Sequence, residues 1–133
     1  MNVVLDTNIV LDLWVFRDAR VASLHEDLAA REVTWLATSA MRDELACVLA
    51  YEHIGARMAA ANVSSEHVLG AFDTHANIVD AAPAAKFACR DADDQKFIDL
   101  AVAHGARLIS KDKQVLALRR KLAVHGVEIS ALP

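Results

Sequence analysis

Cysteine, proline, glycine and aromatic residues are all scarce in this 133-residue chain: two cysteines, two prolines, four glycines and 5% aromatic side chains. Cys47 and Cys89 lie far apart and form no C-x-x-C pair, which excludes a disulfide framework and fits a reducing cytoplasm where each is a small hydrophobe. The shortage of proline and glycine excludes a loop-rich or low-complexity scaffold. No uninterrupted apolar run approaches the roughly 20 residues of a membrane span. The apolar start at Val3 is broken by Asp6 and Asp12 and lacks the basic n-region and cleavage site of a secretory signal, so no such signal is expected. Positive charge is also short, at a formal −4 overall, which speaks against a general phosphate-binding surface. That average conceals a gradient. Residues 1–85 hold five Lys and Arg against twelve Asp and Glu, whereas residues 86–121 hold nine against five.

What is present is aliphatic. At 55% hydrophobic residues, rich in Ala, Val and Leu, the chain suits helices packed closely around a sheet, and its length predicts one domain over residues 1–133. Residues 2–5 are apolar at consecutive positions, the pattern of a strand covered on both faces, and Asp6, Thr7 and Asn8 are all good helix N-caps. Helices are expected over Ala19 to Arg31, after Thr38 and Ser39, and twice between His53 and His75, the second capped by Ser64 or Ser65. Another begins at Asp91 or Ala92, and a last one runs from Asp112 through Val115, Leu118 and Leu122. Gly105 and Gly126 end the last two in the left-handed C′ position. Short strands fit between them at Val33 to Ala37, Ile78 and Val79, Leu108 to Ser110, and Val127 to Ser130. This alternation predicts an α/β fold, a three-layer α/β/α sandwich with a mainly parallel, Rossmann-like sheet. In such a sheet ligands bind along the edge where the strands end.

Asp6, the Asp91, Asp93 and Asp94 triplet, and Asp112 all fall on that edge. Capping explains each equally well, because aspartate satisfies free helix N–H groups and complements the dipole. Glu44 is different. It sits inside its helix among Met41, Leu45 and Val48, placed to aim a carboxylate along the sheet boundary. Several converging carboxylates repel one another, and a divalent ion such as Mg²⁺ or Mn²⁺ is the ordinary remedy.

Four stretches, "VVLDTN", "SAMRDELACVL", "DADDQKFIDLA" and "LISKDKQVL", resemble in order the four acidic motifs of PIN-domain ribonucleases across nearly the whole chain. The nearest likeness is to small prokaryotic stand-alone PIN proteins described as toxins of toxin–antitoxin pairs. By position, the resemblance assigns Asp6, Glu44, Asp94 and Asp112 as catalytic metal ligands, with Asn8 and Ser110 as polar supports. Asp94 is chosen within its triplet because the family's third acid precedes an apolar helix face and a small residue, here Phe97 and Ala101; Asp91 then becomes the N-cap. Lys111 stands where a Gly or small polar residue is more usual in the family.

The resemblance implies a cytoplasmic endoribonuclease that cleaves single-stranded RNA with metal-activated water, leaving a 5′-phosphate and a 3′-hydroxyl. An antitoxin protein is the implied partner. Lys111 and Lys113 flank Asp112 and are placed to hold phosphate, while Trp14 and Trp35 suit core packing better than base stacking. The stretch "IVLDLWVF" is apolar all round, which predicts that some of Leu11, Leu13, Trp14, Val15 and Phe16 fill a subunit contact, a homodimer, or a groove for a partner helix. Absent motifs exclude other chemistry: no H-E-x-x-H, no phosphate-binding G-x-x-x-x-G-K-[ST] loop, and no G-x-S-x-G around Ser39. His104 and His125 belong to helix ends, and His25, His53, His67 and His75 to solvated faces. Two alternatives remain from the residues: a non-catalytic module using the acidic edge for a protein partner, and a phosphatase with Asp6 as nucleophile. Asn8 disfavours the second, since a second acid is wanted there.

Overall fold

Val3, Val4 and Leu5 are buried at consecutive positions, so β1 (Asn2–Leu5) has no solvent face and shows no polar alternation. The reason is its place in the sheet. In the computed structural model, which describes residues 1–85 and 92–131, five parallel strands run in the order β3-β2-β1-β4-β5. They are β2 (Thr34–Ala37), β3 (Ala76–Ile78), β4 (Arg107–Ile109) and β5 (Ile129–Ser130), with β1 central. Helices α1 (Thr7–Trp14), α2 (Ala22–Ala29), α3 (Ser39–Leu49), α4 (Glu52–Ala61), α5 (Ser65–His75), α6 (Gln95–His104), α7 (Lys113–Leu116) and α8 (Arg119–Val124) make the connections. The expected α/β architecture with a parallel sheet is therefore present. No helix among the described residues is long and apolar enough to cross a membrane.

Local signals account for most element ends. Thr38 and Ser64 accept side-chain cap bonds from the Met41 and His67 N–H groups. Gly105 ends α6 at φ +59, a left-handed conformation in which a Cβ would be strained. Two expectations need correction. The helix expected from Ala19 begins with a 3-10 turn, Ala19–Val21, whose Asp18 cap accepts from the Arg20 N–H. The last helix is two, because the Leu118 N–H bonds back to Val115 at 3.0 Å in a tighter turn and closes α7.

Helix α1 resolves the question its composition raised. Ile9, Val10, Leu11, Leu13, Trp14 and Val15 are all buried within one chain, and half-buried Phe16 lies under the Arg57 guanidinium at 4.4 Å. A helix that leaves the central strand and is packed by α3 and the Ala19–Val21 turn buries most of its side chains. Most of its apolar residues are thus covered within one chain, while Leu13 and Trp14 also line an open cavity beside α2 and α5. Trp14 and Trp35 stack at 5.6 Å in the core, and Phe72 meets Trp35 edge-on at 4.9 Å.

His75 departs from its expected solvated face: it is half-buried and stacks on Trp14 at 5.7 Å, because α5 closes over the indole. Cys47 departs the other way. It is a free, exposed thiol, since Met41, Leu45 and Leu49 take the inner face of α3 and position 47 points outward. Cys89 and Asp91, the latter expected as an N-cap, lie outside the described residues.

Candidate functional site

The parallel register decides which side chains meet. Leu5 pairs with Ile109, so the next residues, Asp6 and Ser110, leave the sheet side by side. The Asp6 N–H extends the ladder to the Ile109 carbonyl at 3.1 Å, and the Ser110 N–H reaches the Ser130 carbonyl at 2.9 Å. The fully buried Ser110 hydroxyl then donates to Asp6 Oδ2 at 2.7 Å and accepts from the Asp112 backbone N–H at 3.1 Å. One serine thus joins the ends of β1 and β4 to the start of α7.

Asp6 occupies the N-cap position of α1, but its carboxylate makes no side-chain cap bond. A cap bond to the N–H groups further into α1 does not explain it. Asp112 does cap, its Oδ1 accepting from the Gln114 N–H at 2.8 Å, so a structural duty is present there whatever else it does. Burial pushes the Asp6 carboxyl above its usual range. The bonds from Ser110 and the Thr7 N–H pull it back, and the charges of Asp112 and Glu44 push it further up.

Glu44 is half-buried on α3 and reaches across to two other elements. Its Oε2 accepts from the Thr7 hydroxyl at the start of α1, and its Oε1 accepts from Lys96 Nζ at 2.8 Å. Lys96 also donates to the Asp93 carbonyl at 2.6 Å. Asp94 is buried at the N-cap position of α6, whereas Asp93 beside it is exposed.

The supporting residues divide. Ser110 is central to the cluster, while Asn8 and Lys113 are exposed at the helix starts. Lys111 is committed elsewhere: its Nζ pairs with Asp12 Oδ2 at 2.6 Å, and Asp12 is buried on α1. Sequence reasoning missed Thr7, Asp12 and Lys96 as parts of this edge. Thr7 reads locally as a capping residue and Lys96 as one base in a charge count. Asp12 reads as an interruption in an apolar run. None carries a local sign of its distant partner.

Among the described residues, no three His, Cys, Asp or Glu side chains are arranged as a metal site. Ser110, Thr7 and Lys96 each take a carboxylate oxygen that a cation would use. The donor set nevertheless fits a hard divalent ion. Its ligating atoms are carboxylate oxygens, and the charges of Asp112 and Glu44 already help push the Asp6 carboxyl up, a repulsion a dication would relieve. A cavity of about 860 Å³ opens elsewhere, between the end of α1, α2 and α5, floored by Leu13, Trp14 and Val21, away from these acids.

No curated protein matches the chain. The family model described as PIN domain matches residues 2–114, a span that begins in β1, ends in α7 and includes Asp6, Glu44, Asp94 and Asp112. PIN domains are generally nucleases that use divalent metal ions, and with most of its length matched and a parallel sheet ending in acidic residues, this chain belongs to the PIN domain family.

Proposed function

We propose that the chain is a Mg²⁺- or Mn²⁺-dependent endoribonuclease that hydrolyses phosphodiester bonds of single-stranded RNA. The observation that carries this reading is the Asp6 carboxylate, buried at the sheet edge and held by the Ser110 hydroxyl with no side-chain cap bond to its helix. Burying an anion without pairing it to a cation is costly, and folds retain such groups where a bound ion or a reaction uses them.

Asp6, Glu44, Asp94 and Asp112 are the residues that would hold the metal. When bound, it supplies a hydroxide-like water at neutral pH and neutralises charge on the phosphodiester. The chain's own residues do the rest. Ser110 fixes the Asp6 carboxylate and the Asp112 backbone together, so two ligands from different elements share one support. Thr7 holds one oxygen of Glu44 from α1. Exposed Lys113 is free to meet a phosphate beside Asp112, whereas Lys111 acts through Asp12.

The test is cleavage of end-labelled single-stranded RNA with Mn²⁺ or Mg²⁺ by wild type and Asp6→Asn. Wild type should cut and the variant should lose about 10²-fold or more of that rate. Equal cleavage by both, or no divalent-ion binding by purified wild type, would exclude the nuclease reading in favour of a non-catalytic PIN-fold binding module. A single-stranded DNA arm decides the nucleic acid, because metal-activated water needs no 2′-hydroxyl.

The biological setting is a second part of the proposal: a toxin restrained by an antitoxin protein. It is supported by the resemblance to small stand-alone PIN proteins. Inducing wild type alone in a bacterial host should arrest growth, and inducing Asp6→Asn should not. Unchanged growth with the active wild-type protein would remove the toxin role and leave the nuclease intact.

A further inference from the structure

Lys96 stands at the second position of α6, where a positive charge opposes the helix dipole, so the helix itself gives no reason for it. Its side chain instead turns back to the acidic edge. Nζ lies 2.8 Å from Glu44 Oε1 and 2.6 Å from the Asp93 carbonyl, with the Phe97 ring centroid 5.0 Å away. Together with the Thr7 hydroxyl on Oε2, this gives both Glu44 oxygens a protein donor. Each oxygen keeps a second lone pair, but an ammonium 2.8 Å from Oε1 repels a dication brought to the same carboxylate, whereas the neutral Thr7 hydroxyl does not. Thr7 is a short, buried side chain within α1, whereas Lys96 is half-buried on a flexible stem, so Lys96 is the donor able to leave.

We propose that the Lys96 ammonium is a built-in counter-cation of Glu44 that a divalent ion must displace, making Lys96 the positioning residue that sets the metal affinity of this edge. The proposal rests on the reading of Asp6, Glu44, Asp94 and Asp112 as metal ligands. In the metal-free chain, Lys96 keeps Glu44 oriented and neutralised. On metal binding the ammonium and the dication compete for the same carboxylate, and their repulsion drives Lys96 outward. A lysine serving only to tie α3 to α6 would change stability and leave metal affinity alone.

The experiment is calorimetric titration of Mn²⁺ into chelator-stripped wild type, Lys96→Met, Lys96→Arg and Asp6→Asn at constant ionic strength, with circular dichroism to check folding. Removing the competing charge should tighten Mn²⁺ binding about three- to tenfold in Lys96→Met, while Lys96→Arg stays within about twofold of wild type. Asp6→Asn should lose most binding. If wild type binds Mn²⁺ and Lys96→Met binds it equally or more weakly, the counter-cation role is overturned and the metal-ligand reading survives. If neither wild type nor Lys96→Met binds Mn²⁺, both fall together. Should Lys96→Met fail to fold, Lys96→Gln removes the same charge with a shorter polar side chain, and the same comparison applies.

Discussion

Asp6 and Ser110 concentrate the residue-scale energetics of the site. The Asp6 carboxyl ionises above its ordinary 3.8 because burial disfavours the anion. The unfolded chain therefore loses its proton first as pH rises. The resulting penalty is absent below 3.8 and is complete once pH exceeds the folded-state value. Asp6→Asn keeps the shape and an acceptor for Ser110 while removing the charge. In chelator at neutral pH it should stabilise the fold by about 1–2 kcal/mol, with the gain vanishing as pH falls toward the unfolded value. Thermal melts across pH check this, and a destabilised variant would contradict it. Ser110→Ala should act in the opposite direction. It strips a hydrogen bond from Asp6 and an acceptor from the Asp112 N–H, at a cost of about 1–3 kcal/mol in urea denaturation.

Between elements, the connection from β4 to α7 is held to α1 by the Lys111 to Asp12 pair. Asp12 is almost wholly enclosed and Lys111 only partly so, which makes the two partners unequal. Lys111→Met strands a buried carboxylate and should cost about 2–4 kcal/mol, whereas the double variant Lys111→Met with Asp12→Leu should recover most of that loss. A double-mutant cycle by denaturant unfolding measures the coupling, and strict additivity would show that the pair contributes nothing. The bidentate Arg42 to Asp73 pair between α3 and α5, at 2.7 and 2.8 Å, is much more exposed and contributes at most about 1 kcal/mol. Buried ties therefore set the geometry of the acidic edge, and surface ones merely accompany it.

Across the molecule, the Trp14, Trp35 and Phe72 cluster joins α1, β2 and α5, and His75 closes it on the outer side. Burial lowers the His75 pKa below 6.5, and the neighbouring Arg31 and His25 act in the same direction. The folded state thus resists protonation that the unfolded chain accepts. Stability contributed by neutral His75 is complete above 6.5 and is lost as pH falls from there through the folded-state value. Melting temperature should decline over that acidic window in wild type and decline less in His75→Phe, which retains the stack on Trp14 without a titrating group. Identical slopes in the two proteins would remove His75 as the cause.

The sequence by itself determined the alternation of short strands and helices, the cap at Asp112, caps within the Thr38–Ser39 and Ser64–Ser65 pairs, and the left-handed stop at Gly105. These depend on residues within a turn of one another, so their physical cause is written locally. The apolar run of β1 likewise declared a strand covered on both faces. The order of four acidic stretches carried the family. Tertiary structure alone decided the rest. Whether Asp6 caps α1 or faces a shared edge depends on Ser110, 104 residues away, and only the register of β1 against β4 brings them together. How far the apolar faces of α1 are covered within one chain depended on the packing of α3 and the Ala19–Val21 turn around it. Lys111 and Lys96, alike as bases in the sequence, were separated by their partners, Asp12 in one case and Glu44 in the other. Long-range pairing is set by sheet register and helix packing, and no local pattern of side chains encodes either.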